Sequence, residues 1–292
     1  MSEVSTVRSI VVGVDGSPES DGAVEWATRE AVLRNLAITV IHVVTPLEVG
    51  WPTGDLKDGI PSWQADAAEE VIARARRVVE ASRGSGPPLE VLTKVAYAKV
   101  IPTLVDAADS GQMIVVGATG LGAIGRLLLG SVSTGVLHHA RGPVAVIHSH
   151  GVAPNNAPVV VGIDGSPASE AATALAFDEA SRRGVPLIAL HAWFDIGVLP
   201  VLGMDWHDYE RQAHEVLAER LAGWQEQYPD VHVQRRIVCD QPARWLLQEA
   251  EGAQLVIVGS RGRGAFSSVT LGSVSSAVAQ AAVTPVIVVR PQ

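Results

Sequence analysis

Short apolar runs alternate with segments of helical periodicity along the whole chain. The first run covers 8–14, and Ser17 and Pro18 then supply an N-cap hydroxyl and a favoured first helical residue, which predicts a helix over 18–34. Further strands are predicted at 37–44, 90–95, 113–117 and 143–148, and further helices at 63–83, 99–109 and 131–141. Continuous apolar runs that alternate with helices predict a doubly wound parallel sheet with helices on both faces.

The second half of the chain repeats the first. Val-Val-Gly-Val-Asp-Gly-Ser-Pro at 11–18 returns as Val-Val-Gly-Ile-Asp-Gly-Ser-Pro at 160–167, and Leu-Gly-Ser-Val-Ser occurs at both 129–133 and 271–275. Strands are predicted in this half at 158–163, 186–192, 231–238, 255–259 and 285–290. The repeat predicts two α/β domains in tandem, 1–150 and 158–292, each with a five-stranded sheet.

The helix predicted after the second strand begins near Trp63 in the first half and near Trp206 in the second, and we align these two residues. This pairing places most of the length difference between the halves before that helix. We expect both indoles to anchor the core.

Composition narrows the class of protein. The 292 residues carry a formal net charge of -9, which argues against a nucleic-acid partner because phosphate binding needs a basic surface. One cysteine, Cys239, fits a reducing compartment. The start of the chain lacks the pattern of a secretory signal, and no apolar stretch reaches the roughly 20 residues of a membrane span. We therefore expect a cytoplasmic protein with no membrane partner.

A glycine-rich loop follows the fourth strand of each half with the spacing Gly-x2-Gly-x9-Gly-Ser. Its members are Gly117, Gly120, Gly130 and Ser131 in the first half, and Gly259, Gly262, Gly272 and Ser273 in the second. Glycines let the backbone approach a ligand closely, and the N–H groups that open the next helix are unpaired donors at its positive end. Ser133 and Ser275 add hydroxyl donors. The loops could merely permit turns, but their repetition favours phosphate binding.

Three other phosphate motifs fit less well. Gly-Leu-Gly-Ala-Ile-Gly at 120–125 matches the dinucleotide pattern but follows the fourth strand instead of the first. The lysine of a Walker A loop is missing beside both Gly-Ser pairs. The Ser-Gly-Gly-x-Asp-Ser loop of ATP pyrophosphatases is missing, and Asp-Gly-Ser-Pro stands in its place at 15–18. This argues against an adenylating enzyme.

Together these motifs resemble the universal stress proteins, in the tandem-domain form found in actinobacteria, over essentially the whole chain. The resemblance implies a Rossmann-like fold similar to that of the adenine nucleotide alpha hydrolases. It also implies ATP, with Mg²⁺, as the ligand of both domains. Asp15 and Asp164 would hold the ribose or the phosphate-bound Mg²⁺, and the backbones of Val43 and Ala192 would contact adenine.

The ligand contacts expected in the first domain are Gly13, Asp15, Val43, Gly117, Ala118, Thr119, Gly120, Leu121, Gly122, Gly130, Ser131, Val132 and Ser133. Those expected in the second are Gly162, Asp164, Ala192, Asp195, Gly259, Ser260, Arg261, Gly262, Arg263, Gly264, Gly272, Ser273, Val274 and Ser275. Two alternatives stay open. Arg261 and Arg263 contact phosphate or are solvated, and Asp15 and Asp164 serve the ligand or only cap backbone N–H groups.

The leading functional interpretation is a nucleotide-dependent regulatory protein of the stress response with little or no turnover, since no general base is evident. His42 and His191 are interpreted as packed strand residues. The alternatives are a slow ATP hydrolase that uses Asp15 and Asp164 with Mg²⁺, and a nucleotide-free scaffold. A homodimer is expected. Replacing Gly117 and Gly259 by alanine is expected to empty both sites and leave the fold intact.

Overall fold

The computed structural model describes residues 8–46, 56–57, 60–84, 88–120, 129–148, 154–193, 206–263 and 271–291. The chain divides into two compact units, Met1–Ser149 and His150–Gln292. They are called the first and second unit below.

The first unit alternates strands and helices as the apolar pattern predicts. Its elements are β1 (Ser9–Val14), α1 (Pro18–Arg34), β2 (Ala37–Val44), β3 (Leu56–Lys57), β4 (Ile60–Pro61), α2 (Ser62–Ser82), β5 (Val91–Tyr97), α3 (Val100–Ser110), β6 (Met113–Gly117), α4 (Ser131–His139) and β7 (Val144–Ile147). The short antiparallel pair of β3 and β4 lies where the sequence predicted only a loop.

The second unit repeats this order. Its elements are β8 (Val159–Gly162), α5 (Pro167–Arg183), β9 (Leu187–Ala192), α6 (Trp206–Gln227), β10 (Val233–Val238), α7 (Pro242–Ala250), β11 (Leu255–Gly259), α8 (Ser273–Ala281) and β12 (Val286–Val289).

Each unit has a five-stranded parallel sheet, which confirms the predicted fold class. The strand order is β7-β6-β1-β2-β5 in the first unit and β10-β9-β8-β11-β12 in the second. The chain winds outward in one direction from β1 and then returns to β6 on the other side of β1, with Ile10 beside Met113. In the second unit β8 and β11 meet in the same way, with Val159 beside Leu255. Ligands of open parallel sheets bind at such a reversal, beyond the carboxyl ends of the strands.

The first helix of each unit begins at the predicted cap. Ser17 Oγ accepts a hydrogen bond from the N–H of Ser20 at 3.1 Å, and Ser166 Oγ accepts one from the N–H of Ser169 at 3.2 Å. Pro18 and Pro167 then occupy the first helical positions. These caps fix where the backbone turns from a buried strand into a helix, directly after Asp15 and Asp164.

The helices α2 and α6 begin at Ser62 and Trp206, close to the paired residues Trp63 and Trp206. Trp63 is 58% exposed, so the expectation that it anchors the core was wrong. Val71 of α2 packs against Gly16, and Arg220 of α6 packs against Gly165 at the matched turn. The chain between β2 and α2 is four residues longer than the chain between β9 and α6, and the chain between α2 and β5 is three residues longer than the chain between α6 and β10, so the length difference falls on both sides of this helix.

None of the described helices has an apolar stretch long enough to cross a bilayer.

Candidate functional site

A cavity of about 290 Å³ opens in the second unit beyond the carboxyl ends of β8 and β11. It is called the second site, and the matched residues of the first unit form the first site. The lining consists of Gly162, Ile163, Asp164, Ser169, Leu190, Ala192, Pro242, Leu246, Val258, Gly259, Arg261, Gly262, Arg263, Gly272, Ser273, Val274 and Ser275. The volume is near the roughly 300 Å³ lower end for small-molecule pockets. Eleven of these residues were predicted as ligand contacts from the sequence.

The start of α8 presents backbone donors to this cavity. The N–H of Gly272 is used, since it donates to the carbonyl of Ser260 at 2.8 Å. The next three N–H groups, at 273–275, have no hydrogen-bond partner within the described parts of the chain, and no side chain caps the helix. Three aligned donors at the positive end of a helix are suited to bind an anion.

The first site has the same construction at the start of α4. The N–H of Gly130 donates to the carbonyl of Ala118 at 2.8 Å, and the N–H groups of 131–133 have no partner among the residues described. Ser131 and Ser273, the first residues of the two helices, are exposed.

The hydroxyl groups of Ser133 and Ser275 are already engaged. Both residues are buried, and their Oγ atoms donate to the carbonyl oxygens of Gly117 and Gly259 at 2.6 Å. A hydroxyl hydrogen used on a strand-end carbonyl is not available to a phosphate. These two serines therefore bring their backbone N–H groups to the site, while their hydroxyl groups fasten helix to strand.

Asp15 and Asp164 divide their oxygen atoms between two tasks. Oδ1 of Asp15 accepts from the N–H of Ser17 at 2.9 Å and from its hydroxyl at 2.6 Å. Oδ1 of Asp164 accepts from the N–H of Ser166 at 2.9 Å. One oxygen thus orders the turn, as the capping alternative required. The second oxygen is directed elsewhere.

Oδ2 of each aspartate faces the glycine-rich loop. A Cβ placed on Gly262 would lie 2.5 Å from Oδ2 of Asp164, and one on Gly120 would collide with Oδ2 of Asp15. Each loop approaches its carboxylate this closely because the second glycine has no side chain. The strand-end aspartate, the loop and the helix start therefore converge on one place, as predicted.

Gly117 and Gly259 serve packing, which bears on the expected behaviour of their alanine variants. A Cβ on Gly259 would lie 2.7 Å from the backbone of Ala168 and Ser169, in the first turn of α5. A Cβ on Gly117 would lie 3.0 Å from the carbonyl oxygen of Glu19 in α1. Backbone cannot yield as a side chain can, so we expect alanine at Gly259 to shift the start of α5 and alanine at Gly117 to crowd α1. The alanine pair would then test packing as well as ligand binding.

An apolar wall closes the other end of the second site. Leu190 and Ala192 of β9 line it, together with Pro242 and Leu246 of α7. Leu246 packs against Gly162, just as Leu104 packs against Gly13 in the first unit. An apolar wall in the same cavity as a row of N–H donors suits a molecule with an aromatic base and a charged tail.

The sequence predicted Ala192 in this wall but missed Pro242 and Leu246. Both could have been predicted, because the helix after the third strand of a doubly wound sheet packs beside the first strand, and the start of this helix is apolar. In the first unit Val43 is buried at the end of β2.

The remaining loop residues have distinct positions. Arg261 and Arg263 line the cavity. Ser260 and Ala118 are buried at the strand ends, where their N–H and carbonyl groups hold the loop. Thr119 precedes Gly120 in the first unit. Four predicted contacts lie outside the described residues: Leu121, Gly122, Asp195 and Gly264.

His42 and His191 hold the strand ends that carry the aspartates. Nδ1 of His42 lies 2.7 Å from the carbonyl of Val14, and Nδ1 of His191 lies 2.7 Å from that of Ile163. Burial lowers the pKa of His191 below its ordinary value of 6.5, and the positive charge of Arg263 acts in the same direction. Neutral His191 therefore donates Nδ1–H to the carbonyl. This contact agrees with the interpretation of a packed strand histidine.

Comparison with known proteins gives matches over both units. Residues 6–148 and 155–290 each match the Universal stress protein family. A universal stress protein of Mycolicibacterium smegmatis is 53% identical over 294 residues, with 100% of both chains covered. One of Mycobacterium tuberculosis is 50% identical over 294 residues, with 99% of each chain covered. The crystal structure of a universal stress protein from Archaeoglobus fulgidus, 24% identical, has a TM-score of 0.70 and covers 97% of this chain and 96% of its own, which shows the shared fold.

Proposed function

Since the chain belongs to the universal stress protein family, we propose that it binds ATP reversibly at both sites and acts as a nucleotide-dependent regulator of the stress response. Occupancy of the two sites would set the conformation or the partners of the protein. The cytoplasm, where ATP is abundant, is the compartment that this proposal implies, and cell fractionation tests it.

One observation carries the proposal. Each unit has a strand-end carboxylate and a row of three backbone N–H groups without partners among the described residues, and in the second unit both line one cavity. In the second unit the same cavity continues into the apolar wall of Leu190, Ala192 and Leu246. These surfaces support the proposal, with the apolar wall for the base and the N–H groups for the phosphates.

The aspartates fit a role toward the ribose or a metal ion. Oδ2 of Asp164 is directed at the loop that would face the phosphates. No cluster of three or more His, Cys, Asp or Glu side chains able to hold a metal ion occurs in the described ranges. Asp15 and Asp164 would therefore contribute one carboxylate each to a Mg²⁺ ion whose other ligands are phosphate oxygens and water. When bound, that ion would neutralise phosphate charge.

The proposal includes little or no turnover. Hydrolysis requires a residue that positions water and a cation that stabilises the leaving phosphate. The hydrogen on Nδ1 of His191 is used on the carbonyl of Ile163, and Oδ1 of each aspartate is used on its own turn. These contacts support binding of the nucleotide with little or no hydrolysis. The alternatives are a slow hydrolase and a nucleotide-free scaffold.

The native ligand separates these three possibilities. We expect acid extraction of the freshly purified full chain, followed by ion-exchange chromatography, to release ATP. ADP or AMP in place of ATP would favour the slow hydrolase. An extract without nucleotide would favour the scaffold and contradict the proposal.

We also propose that the protein forms a homodimer through β5, the edge strand of the first unit. Leu92 and Tyr97 of this strand are 39% and 37% exposed, so part of its surface is apolar and open. Antiparallel pairing of two copies about Leu92 would place Glu90 of one opposite Lys94 of the other, and both residues are exposed. Opposite charges at facing positions stabilise a strand pair by about 0.2–1 kcal/mol each.

Charge reversal tests this strand pairing. Lys94→Glu would set like charges against each other twice across the two-fold axis, and we expect it to weaken the dimer at least tenfold. Glu90→Lys added to Lys94→Glu restores both pairs and should restore the dimer. Light scattering after size exclusion measures the mass, and a dimer indifferent to the single substitution would rule out this interface.

A further inference from the structure

The two sites differ in charge at matched positions. Arg261 of the second unit corresponds to Thr119 of the first, Arg263 corresponds to Leu121, and Arg290 corresponds to His148. The aspartate and the helix start are the same in both. These three differences lie in the glycine-rich loop and directly after the last strand.

The second site presents its two loop arginines to the cavity. Arg261 and Arg263 both line it, and a Cβ placed on Gly272, just before α8, would lie 3.3 Å from Cα of Arg261. The hydroxyl of Ser166 donates to the carbonyl of Arg261 at 2.9 Å, which fixes the loop to the start of α5. In the first unit the matched hydroxyl, that of Ser17, donates to Asp15 instead. The arginine-bearing loop is thus held in place before any ligand arrives.

Positive charge exceeds negative charge in this part of the second site. Asp164 is the one acidic residue among the lining residues described. Arg263 has no ion-pair partner in the described segments. Arg290 is half-buried, and burial together with the nearby charge of Arg261 lowers its pKa. Arg220, beside the same turn, is paired with Glu170 at 3.0 Å.

We propose that the second site distinguishes nucleotides by their number of phosphates and that the first site does so much less. This inference rests on the proposed function and names the ligand class of each site. The second site takes the triphosphate, through Arg261 and Arg263. The first site accepts adenine nucleotides with any number of phosphates.

The physical basis is the difference in charge along the nucleotide. ATP carries roughly twice the negative charge of AMP, and the added charge lies at the end of the chain of phosphates. Backbone N–H groups at 131–133 and 273–275 can hold the phosphate nearest the sugar equally well in both sites. Guanidinium groups bind further phosphate oxygens in pairs, and they do so strongly in a partly enclosed cavity.

The two sites would then fill in order as the ATP concentration rises. The second site would retain ATP at concentrations where the first still exchanges ligands. The first site would be the place where ATP and AMP compete, so its occupancy would follow their ratio in the cell. A protein with one retained and one exchangeable nucleotide can report the energy state without hydrolysing ATP.

Single-site chains test the inference. Ser131→Asp sets a negative charge at the first site and leaves the second to be measured, and Ser273→Asp does the reverse. Calorimetric titration of each full-length variant with ATP and with AMP gives the ratio of their dissociation constants. We expect the preference for ATP over AMP to be at least tenfold greater in the Ser131→Asp chain than in the Ser273→Asp chain. Adding Arg261→Thr and Arg263→Leu, the residues of the first unit, to the Ser131→Asp chain should remove the difference.

The outcomes are distinct. Equal ratios in the two single-site chains, or a ratio unaffected by the arginine substitutions, would overturn the inference while ATP binding stands. Absence of ATP binding in both chains and in the unaltered protein would instead overturn the proposed function. A larger salt dependence of ATP binding in the Ser131→Asp chain would support the inference independently.

Discussion

We expect the double substitution of Ser131→Asp with Ser273→Asp to reduce ATP affinity at both sites at least tenfold, which corresponds to about 1.4 kcal/mol per site. Both serines are exposed first residues of α4 and α8. A carboxylate there would stand among the N–H groups proposed to hold phosphate and would repel it. Isothermal titration calorimetry of the nucleotide-free protein measures the loss.

The same substitution should leave the fold unharmed. An aspartate in the first turn of a helix is stabilising by roughly 0.3–1 kcal/mol, because it faces the positive end of the helix dipole. The matched control replaces both serines by asparagine, which has nearly the same shape and no charge. The asparagine variant should keep its ATP. If the aspartate variant binds ATP as tightly as the asparagine variant, the phosphates do not lie at these helix starts.

The largest expected loss of stability follows from Phe177→Ala in the second unit. Phe177 is fully buried, with ring centroids 6.2 Å from Trp224 and 5.8 Å from Tyr228. These contacts join α5 to α6. Truncation of a buried phenylalanine to alanine lowers the free energy of unfolding by about 3–5 kcal/mol. Hydrogen exchange read by mass spectrometry should show amides of α5 losing protection.

The first unit provides a matched control at Thr28. This residue occupies the position of Phe177, is fully buried, and donates its hydroxyl to the carbonyl of Val24 at 2.7 Å. Thr28→Ala removes one hydrogen bond and little volume, so we expect a loss of about 1 kcal/mol. If Thr28→Ala and Phe177→Ala lower the free energy of unfolding equally, the aromatic contacts of Phe177 do not stabilise the packing of α5 on α6.

Most of the fold could be predicted from the sequence because each strand is a short apolar run with a clear end. Ser17 with Pro18, and Ser166 with Pro167, fixed the start of α1 and α5 to the residue. β3 and β4 were missed because two-residue strands carry no periodic signal. Trp63 was expected in the core because it is aromatic, but it is the second residue of α2 and its side chain is exposed.

The parts of the candidate site that depend on strand order and on residue spacing could be predicted from the sequence. The meeting of Asp15 with Gly120 follows from strand order, which the alternation of strands and helices dictates. The use of the Ser133 hydroxyl on the Gly117 carbonyl could not be predicted, since both partners are defined by packing. The packing role of Gly259 could not be predicted either. Its spacing in the loop suggested a phosphate contact, whereas its missing side chain makes room for the first turn of α5.

Equilibrium dialysis of the nucleotide-free full chain against labelled ATP tests the central claim most directly. Two sites built from the same strand-end carboxylate and helix start should saturate at two ATP molecules per chain. Uptake that stays linear, without saturation up to millimolar ATP, would contradict the account.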